Sequence, residues 1–372
     1  MKDKIIAISA SVLAPGGVET HVKNLCLSLR KEGYGVIIYG SSCHWNPKTI
    51  TEIRDVGVKI IIPPSFTHRF PLVAKLWAFL LWALNRPNSA ITLYCIGAGK
   101  AHGLLRLLAG KCIFMINHEI VIPPSINSPA AECIKTSDVS IANSKAVLAS
   151  MEAMYPEKTI KVIPFITAIT SVPPPKPRPE IGNRTIHIGY MGRLEARKRP
   201  DKLVKEWEQI IKAEDFGEAI LHIYGDDAGI GMLADLRHFV EEEHLSEKVI
   251  IHGRYQLSDI PRILSSLDLI VLPSEWEGLP LVLVEAMQHG VPFVATCAGG
   301  TSEFQENNPH VFVTGLEWES FVDGLVTFVR TIRSKAVDNC SLHDWVEQRY
   351  GYRAVWPSWE SALTDESRDF WK

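Results

Sequence analysis

Short apolar runs alternate with helix-length segments along almost the whole chain of 372 residues. Ile5–Ser9 has the composition of a strand, Val18–Glu32 carries an apolar stripe at helical spacing, and Gly35–Tyr39 is the next apolar run. Strands that alternate with helices build parallel sheets, because each crossover helix returns the chain to the same end of the sheet. The sequence therefore predicts an α/β protein with doubly wound parallel sheets.

A proline-rich segment at residues 171–180 interrupts this alternation once. Five of its ten residues are proline, which suits neither the interior of a helix nor the hydrogen-bonded ladder of a sheet. We therefore expect a linker at 171–180, a Rossmann-like domain at 1–170 and a second such domain at 181–350. Residues 351–372 are rich in aromatic side chains, and we expect them to form a helical tail that packs across the domain junction.

Both halves contain further apolar runs of strand length. In the first half they are Val58–Ile62, Ala90–Ile96, Cys112–Ile116, Val139–Ala142 and Ile160–Ile163. In the second half they are Ile186–Tyr190, Ile220–Tyr224, Val249–His252, Leu269–Leu272, Phe293–Ala295 and Val311–Val313. Each half therefore has enough strands for a sheet of its own.

Charge and cysteine content exclude several classes of function. Lys and Arg total 39 against 42 for Asp and Glu, so the chain has no basic excess for a nucleic-acid partner. The seven cysteines are scattered without a C-x-x-C pair, which indicates a reducing cytoplasm. The most apolar run, Pro71–Leu84, contains Lys75 and is too short to span a bilayer; it lies within the longer stretch Arg69–Arg86. We favour a buried core helix there, and the alternative is peripheral contact with the cytoplasmic face of the inner membrane.

The strongest local signal is the segment Pro273–Met287, directly after the apolar run Leu269–Leu272. Its proline and glycine positions predict a helix over Pro280–His289, with Glu277 in the preceding loop and Glu285 in the second turn. A helix start after a parallel strand is where phosphorylated ligands dock. The two carboxylates would then bind hydroxyls of a sugar and a ribose on either side of a diphosphate, or they are solvated helix-start residues.

A second strand, loop and helix pattern runs over Gly189–Pro200. Its loop carries the four cations Arg193, Arg197, Lys198 and Arg199. These charges would repel one another unless an anion or solvent separates them, and a diphosphate offers several acceptors for them. The alternative is an exposed basic turn.

Two further motifs are weaker. Gly97–Gly103 imitates a phosphate loop and a dinucleotide fingerprint, but it lacks the required residues after Lys100, so we expect a helix-start turn. Asp226 and Asp227 follow a strand without other ligand types nearby, so we expect a loop cap instead of a metal site.

Taken together, these motifs resemble the retaining glycosyltransferases of family 4. In the second half the resemblance rests on Gly192-Arg193-Leu194 with Lys198, Pro273-Ser274, Glu277-Gly278-Leu279-Pro280-Leu281, Glu285-Ala286-Met287 and Gly299-Gly300. In the first half it rests on Gly16-Gly17-Val18-Glu19, Asn117-His118-Glu119 and Ala142-Asn143-Ser144. Pro164–Ala168 departs from the Pro-Asn-Gly-Val-Asp that is usual in the family. The resemblance implies the GT-B fold, in which two Rossmann-like domains face a cleft.

The resemblance also implies a role for each matching residue. Arg193 and Lys198 would hold the donor diphosphate and neutralise the charge that grows on it, so that neither a metal nor a cofactor is expected. Glu285 would bind the ribose, and Glu277 with the backbone of Gly278–Leu281 would face the donor sugar. Gly16 and Gly17 would let the backbone approach the diphosphate. His118 would lie near the donor sugar and the acceptor hydroxyl, or it is a structural histidine.

The function implied is transfer of a sugar from a nucleoside-diphosphate sugar to a hydroxyl, with retention of anomeric configuration. The expected acceptor is a carbohydrate or a lipid-linked saccharide in the biosynthesis of cell-surface polysaccharide or lipopolysaccharide. Two alternatives stay open, a nucleotide-sugar-binding protein without turnover and a nucleotide-sugar 2-epimerase of the same fold. The second is disfavoured because that family carries a different site pattern, rich in His and Glu.

Overall fold

The computed structural model describes residues 5–10, 16–40, 47–61, 91–96, 112–115, 134–135, 137–178, 180–227 and 229–364. The predicted helix Arg69–Arg86 and the turn Gly97–Gly103 lie outside these residues. The chain divides into two compact units, Met1–Thr170 with Tyr350–Lys372, and Ser171–Arg349. No helix within the described ranges has both the length and the apolar character needed to cross a membrane.

The first unit is built on a seven-stranded sheet in which every strand pair is parallel. Its strands are β1 (Ile5–Ala10), β2 (Gly35–Gly40), β3 (Lys59–Ile61), β4 (Ile91–Ile96), β5 (Cys112–Met115), β6 (Val139–Ala142) and β7 (Ile160–Val162), in the order β3-β2-β1-β4-β5-β6-β7. Helices α1 (Gly17–Lys31), α2 (Pro47–Asp55) and α3 (Lys145–Met154) connect them. Helix α1 buries Val22, Leu25 and Leu29, the apolar stripe seen in the sequence.

The second unit repeats the same plan with six parallel strands. They are β8 (Ile186–Met191), β9 (Ala219–Tyr224), β10 (Val249–Gly253), β11 (Leu269–Leu272), β12 (Phe293–Thr296) and β13 (Val311–Thr314), in the order β10-β9-β8-β11-β12-β13. Its helices are α4 (Pro200–Ile211), α5 (Met232–Glu242), α6 (Ile260–Ser265), α7 (Leu281–Gln288), α8 (Trp318–Ser334) and α9 (Asn339–Tyr350). The doubly wound parallel architecture predicted from the sequence is confirmed in both units.

The strand order of the second sheet reverses between β8 and β11. From β8 the chain moves outward through β9 to β10, and from β11 it moves outward in the opposite direction through β12 to β13. The loops that follow β8 and β11 therefore diverge and leave a crevice at the carboxyl ends of the strands, which is the usual ligand site of open α/β sheets. Both sequence motifs include these loops, and Glu285 lies in the helix that follows the second loop.

The last helix of the chain, α10 (Tyr352–Thr364), belongs to the first unit. The indole of Trp359 is buried and donates a hydrogen bond to the carbonyl of Pro164 at 2.7 Å. His21 on α1 packs against both Trp359 and Phe165, and its Nδ1 accepts a hydrogen bond from the amide of Ile166. Helix α10 thus fixes the segment that departs from the family pattern.

The proline-rich segment lies within the second unit. The guanidinium of Arg178 donates hydrogen bonds to the carbonyls of Leu264 and Leu267, at the end of α6. The amide side chain of Asn339, at the start of α9, donates to the carbonyl of Lys176 at 2.6 Å. These bonds attach the end of the segment, at Lys176 and Arg178, to the rest of the second unit.

Candidate active site

The loop after β8 is laid across the end of β9 by main-chain hydrogen bonds. The amide of Gly192 donates to the carbonyl of Tyr224, and the amide of Leu194 donates to that of Asp226, each at 3.0 Å. A Cβ atom at Gly225 would lie only 2.0 Å from the carbonyl oxygen of Gly192, so glycine is required for this close approach. The loop then forms a 3-10 turn at Ala196–Lys198 and enters α4 at Pro200.

All four cations of this loop are paired with carboxylates. The pairs are Arg193–Glu195, Arg197–Glu195, Lys198–Glu277 and Arg199–Glu275. Three carboxylates thus balance four positive charges and leave a small positive excess. The prediction that an anion or solvent must separate these cations is wrong, because the protein supplies the separating charges itself.

Glu277 joins the two loops of the crevice. Its side chain is buried, and its Oε1 both pairs with Lys198 Nζ and accepts a hydrogen bond from Ser274 Oγ at 2.8 Å. The carbonyl of Ser274 in turn accepts a hydrogen bond from the hydroxyl of Thr296. Lys198 and Glu277, which the sequence assigned to different parts of a donor, are therefore direct neighbours.

Helix α7 begins one residue later than predicted. Pro280 is the N-cap residue, with φ −73° and ψ 103°, and the first helical residue is Leu281. The amides of Leu281 and Val282 make no hydrogen bond to the described part of the chain, and no side chain caps this end. Because helix starts of this kind bind anions, the second loop offers donors beside Lys198 and Glu277.

Glu285 lies in the second turn of α7 and differs from Glu277 in its surroundings. Its side chain is partly buried, and no described residue donates a hydrogen bond to its carboxylate or forms an ion pair with it. Burial raises the pKa of this carboxyl to about 8. Burial, and then the charge of Glu285, raises the pKa of the neighbouring Tyr255. At neutral pH Glu285 is mostly protonated, so it can donate as well as accept a hydrogen bond.

Of the site residues predicted in the first unit, two lie within the described part of the chain. Gly16 and Gly17 are exposed at the start of α1, and Gly16 has a φ of 155° that favours glycine. Glu19, in the first turn, is buried and accepts a hydrogen bond from the Thr49 hydroxyl. His118 lies outside the described residues, so its position stays a prediction.

Some residues of the site carried no assigned role at the level of sequence. Glu195 bridges Arg193 and Arg197, and the Arg197 guanidinium lies 4.0 Å from the centre of the Trp276 ring. Ser274 supports Glu277 from three positions upstream. The sequence spacing could have indicated these contacts in part. In a tight loop a carboxylate can reach an arginine two residues away, and a serine can reach a glutamate three residues away.

Asp227 forms a loop cap, as expected, whereas Asp226 forms an ion pair with Arg254 at 3.8 Å. Asp227 accepts hydrogen bonds from the amides of Gly229 and Leu233, both at 2.9 Å, and these bonds lower its pKa. Within the described ranges, no three His, Cys, Asp or Glu side chains converge so that they could hold a metal ion.

Two family models match the chain, one on each side of the proline-rich segment. The model described as Glycosyltransferase Family 4 matches residues 15–165, and the one described as Glycosyl transferases group 1 matches residues 185–331. The chain belongs to the group 1, family 4 glycosyltransferases.

Curated glycosyltransferases resemble the chain over part of their length. The UDP-Gal:alpha-D-GlcNAc-diphosphoundecaprenol alpha-1,3-galactosyltransferase of Escherichia coli is 30% identical over 138 residues, which are 37% of this chain and 34% of that enzyme. The lipopolysaccharide core biosynthesis mannosyltransferase LpsB of Rhizobium meliloti is 30% identical over 116 residues, 31% of this chain and 32% of that enzyme. The match thus spans about a third of each relative.

A solved structure extends the likeness over almost the whole chain. Anabaena HepE, crystallised in complex with UDP and glucose, superimposes with a TM-score of 0.73 at 17% identity. The superposition covers 97% of this chain and 99% of HepE. The GT-B fold predicted from the motifs is therefore confirmed.

Proposed function

We propose that this family 4 member is a retaining glycosyltransferase that moves a sugar from a nucleoside-diphosphate sugar to a hydroxyl of a carbohydrate or lipid-linked saccharide. One observation carries the proposal. The ion pair of Lys198 and Glu277 joins the two crevice loops beside a helix start without a side-chain cap and beside Glu285, for which the described residues offer no ion-pair partner. The names of the two curated relatives support a role in assembling surface polysaccharide or lipopolysaccharide.

The basic side of the crevice suits a diphosphate. The Arg193 side chain is 52% exposed, and Lys198 is held at the site by Glu277. When the bond between the sugar and the diphosphate breaks, negative charge grows on the leaving diphosphate, and fixed cations stabilise that charge more than they stabilise the intact donor. The two cations would take the part that a metal ion plays elsewhere, so the proposed reaction is independent of metal.

The acidic side of the crevice suits hydroxyl groups. Glu277 uses Oε1 for Lys198 and Ser274, so its second carboxylate oxygen can accept a hydrogen bond from a sugar hydroxyl. Glu285 would bind the ribose hydroxyls in the same way from α7. This division would place the sugar near the start of α7 and the nucleoside further along the helix.

Retention would follow from departure and attack on the same face of the sugar. In such a step the acceptor oxygen bonds to the anomeric carbon, the diphosphate leaves, and a diphosphate oxygen takes the acceptor proton. The residues of the protein then hold charges and hydroxyls in place and need not supply a base. His118 would lie near the acceptor, and Gly16 and Gly17 would admit the diphosphate to the backbone of the first unit.

Ligand-induced stabilisation of the full chain tests donor binding. A nucleoside diphosphate present at a hundred times its dissociation constant should raise the free energy of unfolding by about 2.7 kcal/mol. Lys198→Ala should lose most of this stabilisation. Lys202→Ala, which removes an exposed lysine of α4, is the matched control and should keep it. If no nucleoside diphosphate or nucleotide sugar stabilises the wild-type chain, the proposed donor class is wrong.

Transfer to a saccharide linked to a lipid diphosphate tests the reaction. Product should form in excess EDTA, and NMR coupling at the new anomeric carbon should show the configuration of the donor. Product that requires added Mg²⁺ would contradict metal independence. Free sugar or an epimerised nucleotide as the only product would contradict transfer and favour hydrolysis or the epimerase alternative.

A further inference from the structure

We propose that Glu195 and Arg197 are positioning residues that orient Arg193 toward the donor diphosphate. The inference rests on the proposed function, because the diphosphate is the partner assigned to Arg193. It adds two side chains that touch neither the donor nor the acceptor in this assignment. Their role would be to fix the direction of the most exposed cation in the crevice.

Arg193 is held at both ends. Its carbonyl accepts a hydrogen bond from the buried Tyr190 hydroxyl at 2.8 Å, which fixes the backbone where the side chain begins. Its NH1 lies 2.7 Å from Glu195 Oε1, which fixes the guanidinium. An arginine side chain that is half exposed would otherwise sample many rotamers, and ordering it on binding would weaken the interaction with the donor.

Glu195 is itself anchored to both loops. Its Oε2 accepts a hydrogen bond from Arg197 Nε at 2.5 Å. The guanidinium of Arg197 is largely buried over the ring of Trp276, and the carbonyl of Arg197 accepts a hydrogen bond from the amide of Glu275 at 2.8 Å. The carboxylate of Glu195 is thus tied through Arg197 to the loop that carries Glu277.

A carboxylate beside a phosphate-binding arginine could instead compete with the phosphate. Two features argue for positioning. Both oxygens of Glu195 are already engaged by arginines, and the group of Arg193, Glu195 and Arg197 keeps one net positive charge. A guanidinium also has five N–H donors in a planar fork, so that it can bind a carboxylate along one edge and a phosphate along another.

A double-mutant cycle on the full chain separates the possible roles. Glu195→Gln keeps the size of the side chain and removes its charge. If Glu195 acts through Arg193, this change should lower kcat about tenfold in the wild-type background, with a smaller change in KM, and should have no effect in the Arg193→Ala background. Glu208→Gln, an exposed α4 carboxylate paired with Lys248, removes the same charge and is the matched control.

Every other outcome overturns the inference. An equal loss in both backgrounds would show that Glu195 supports the fold of the loop and not Arg193. A gain in kcat or in UDP affinity would show that Glu195 competes with the diphosphate. Arg197→Lys keeps the charge but loses the planar stack on Trp276, so it should reproduce the Glu195→Gln pattern.

Calorimetry with plain UDP separates this inference from the proposed function. If the wild-type chain binds UDP but the effects of Glu195→Gln and Arg193→Ala on UDP affinity are additive, only the positioning role is overturned. If the wild-type chain binds no nucleoside diphosphate, the proposed function fails and the positioning role fails with it.

Discussion

Replacing Glu285 with glutamine should stabilise the protein at neutral pH. In the folded chain, burial raises the pKa of this carboxyl from 4.5 to about 8, and no described residue pairs with it. In the unfolded chain the same group ionises freely above its ordinary pKa. Between these two values the unfolded state therefore releases a proton that the folded state retains, and folding is disfavoured.

The size of the effect follows from the pKa difference. At pH 7 the pH is about 2.5 units above the pKa of this carboxyl in the unfolded chain. At about 1.4 kcal/mol per unit, the buried carboxyl lowers the free energy of unfolding by about 3 kcal/mol. The partial exposure of Glu285 screens the charge, so we expect a gain of about 2 kcal/mol for Glu285→Gln. The gain should vanish below pH 4.5, where the carboxyl is protonated in both states, grow as the pH rises to 8, and then stay constant.

Urea unfolding followed by circular dichroism at pH 4, 5.5, 7 and 8.5 measures this difference. Glu208→Gln is the matched control and should give no such gain, because the ion pair with Lys248 lowers the pKa of Glu208. A gain for Glu285→Gln that is the same at pH 4 and pH 7 would refute the reasoning. Glu285→Gln should also bind UDP better than Glu285→Ala at pH 7, since the amide keeps a donor and an acceptor for the ribose.

Three further predictions concern single side chains. Arg193→Ala and Lys198→Ala should each lower kcat about a hundredfold, and near-normal turnover by the double variant would exclude the diphosphate assignment. Arg193→Ala should leave thermal stability nearly unchanged, whereas Lys198→Ala should lower it, because the buried Glu277 carboxylate loses its partner. Arg199 has left-handed backbone angles, φ 54° and ψ 33°, which strain residues with a Cβ atom but not glycine. In thermal melts Arg199→Gly should therefore be about 1 kcal/mol more stable than Arg199→Ala. The reverse order of stability would exclude backbone strain at this position. Burial lowers the pKa of His21 to about 3, so between pH 7 and pH 5 this histidine gains a proton only in the unfolded chain. In urea titrations the wild-type chain should therefore lose about 2 kcal/mol more stability over this range than His21→Asn does. Equal losses for the two chains would contradict this.

The sheets could be predicted from sequence because each strand is a short apolar run bounded by polar residues, glycine or proline. The strands of the second unit begin and end within one residue of their predicted bounds. The predicted start of α7 was one residue too early, because Pro280 suits both the first helical position and the N-cap position. Its ψ of 103° shows that it is the N-cap. Local patterns therefore predict elements better than they predict the last turn of each element.

The sequence identified the two loops but not the side-chain pairs between them. Lys198 and Glu277 are 79 positions apart, and they meet only because β8 and β11 are neighbours in the sheet. Glu195 could not be distinguished from a solvated loop residue without the position of Arg197 over Trp276. The raised pKa of Glu285 results from burial by residues distant in the sequence. The pattern of apolar residues along one helix does not predict that burial.

The attachment of α10 to the first unit affects how the protein is made. Trp359 follows its partner Pro164 by 195 positions, and the whole second unit lies between them. At roughly 5–20 residues per second, a ribosome needs about 10–40 s to synthesise that interval. During this time His21 and Phe165 lack their final cover, although the residues on either side of them have been made. The first unit, although its synthesis begins first, is therefore completed last. The second unit can fold before the C-terminal helix of the first unit has been synthesised.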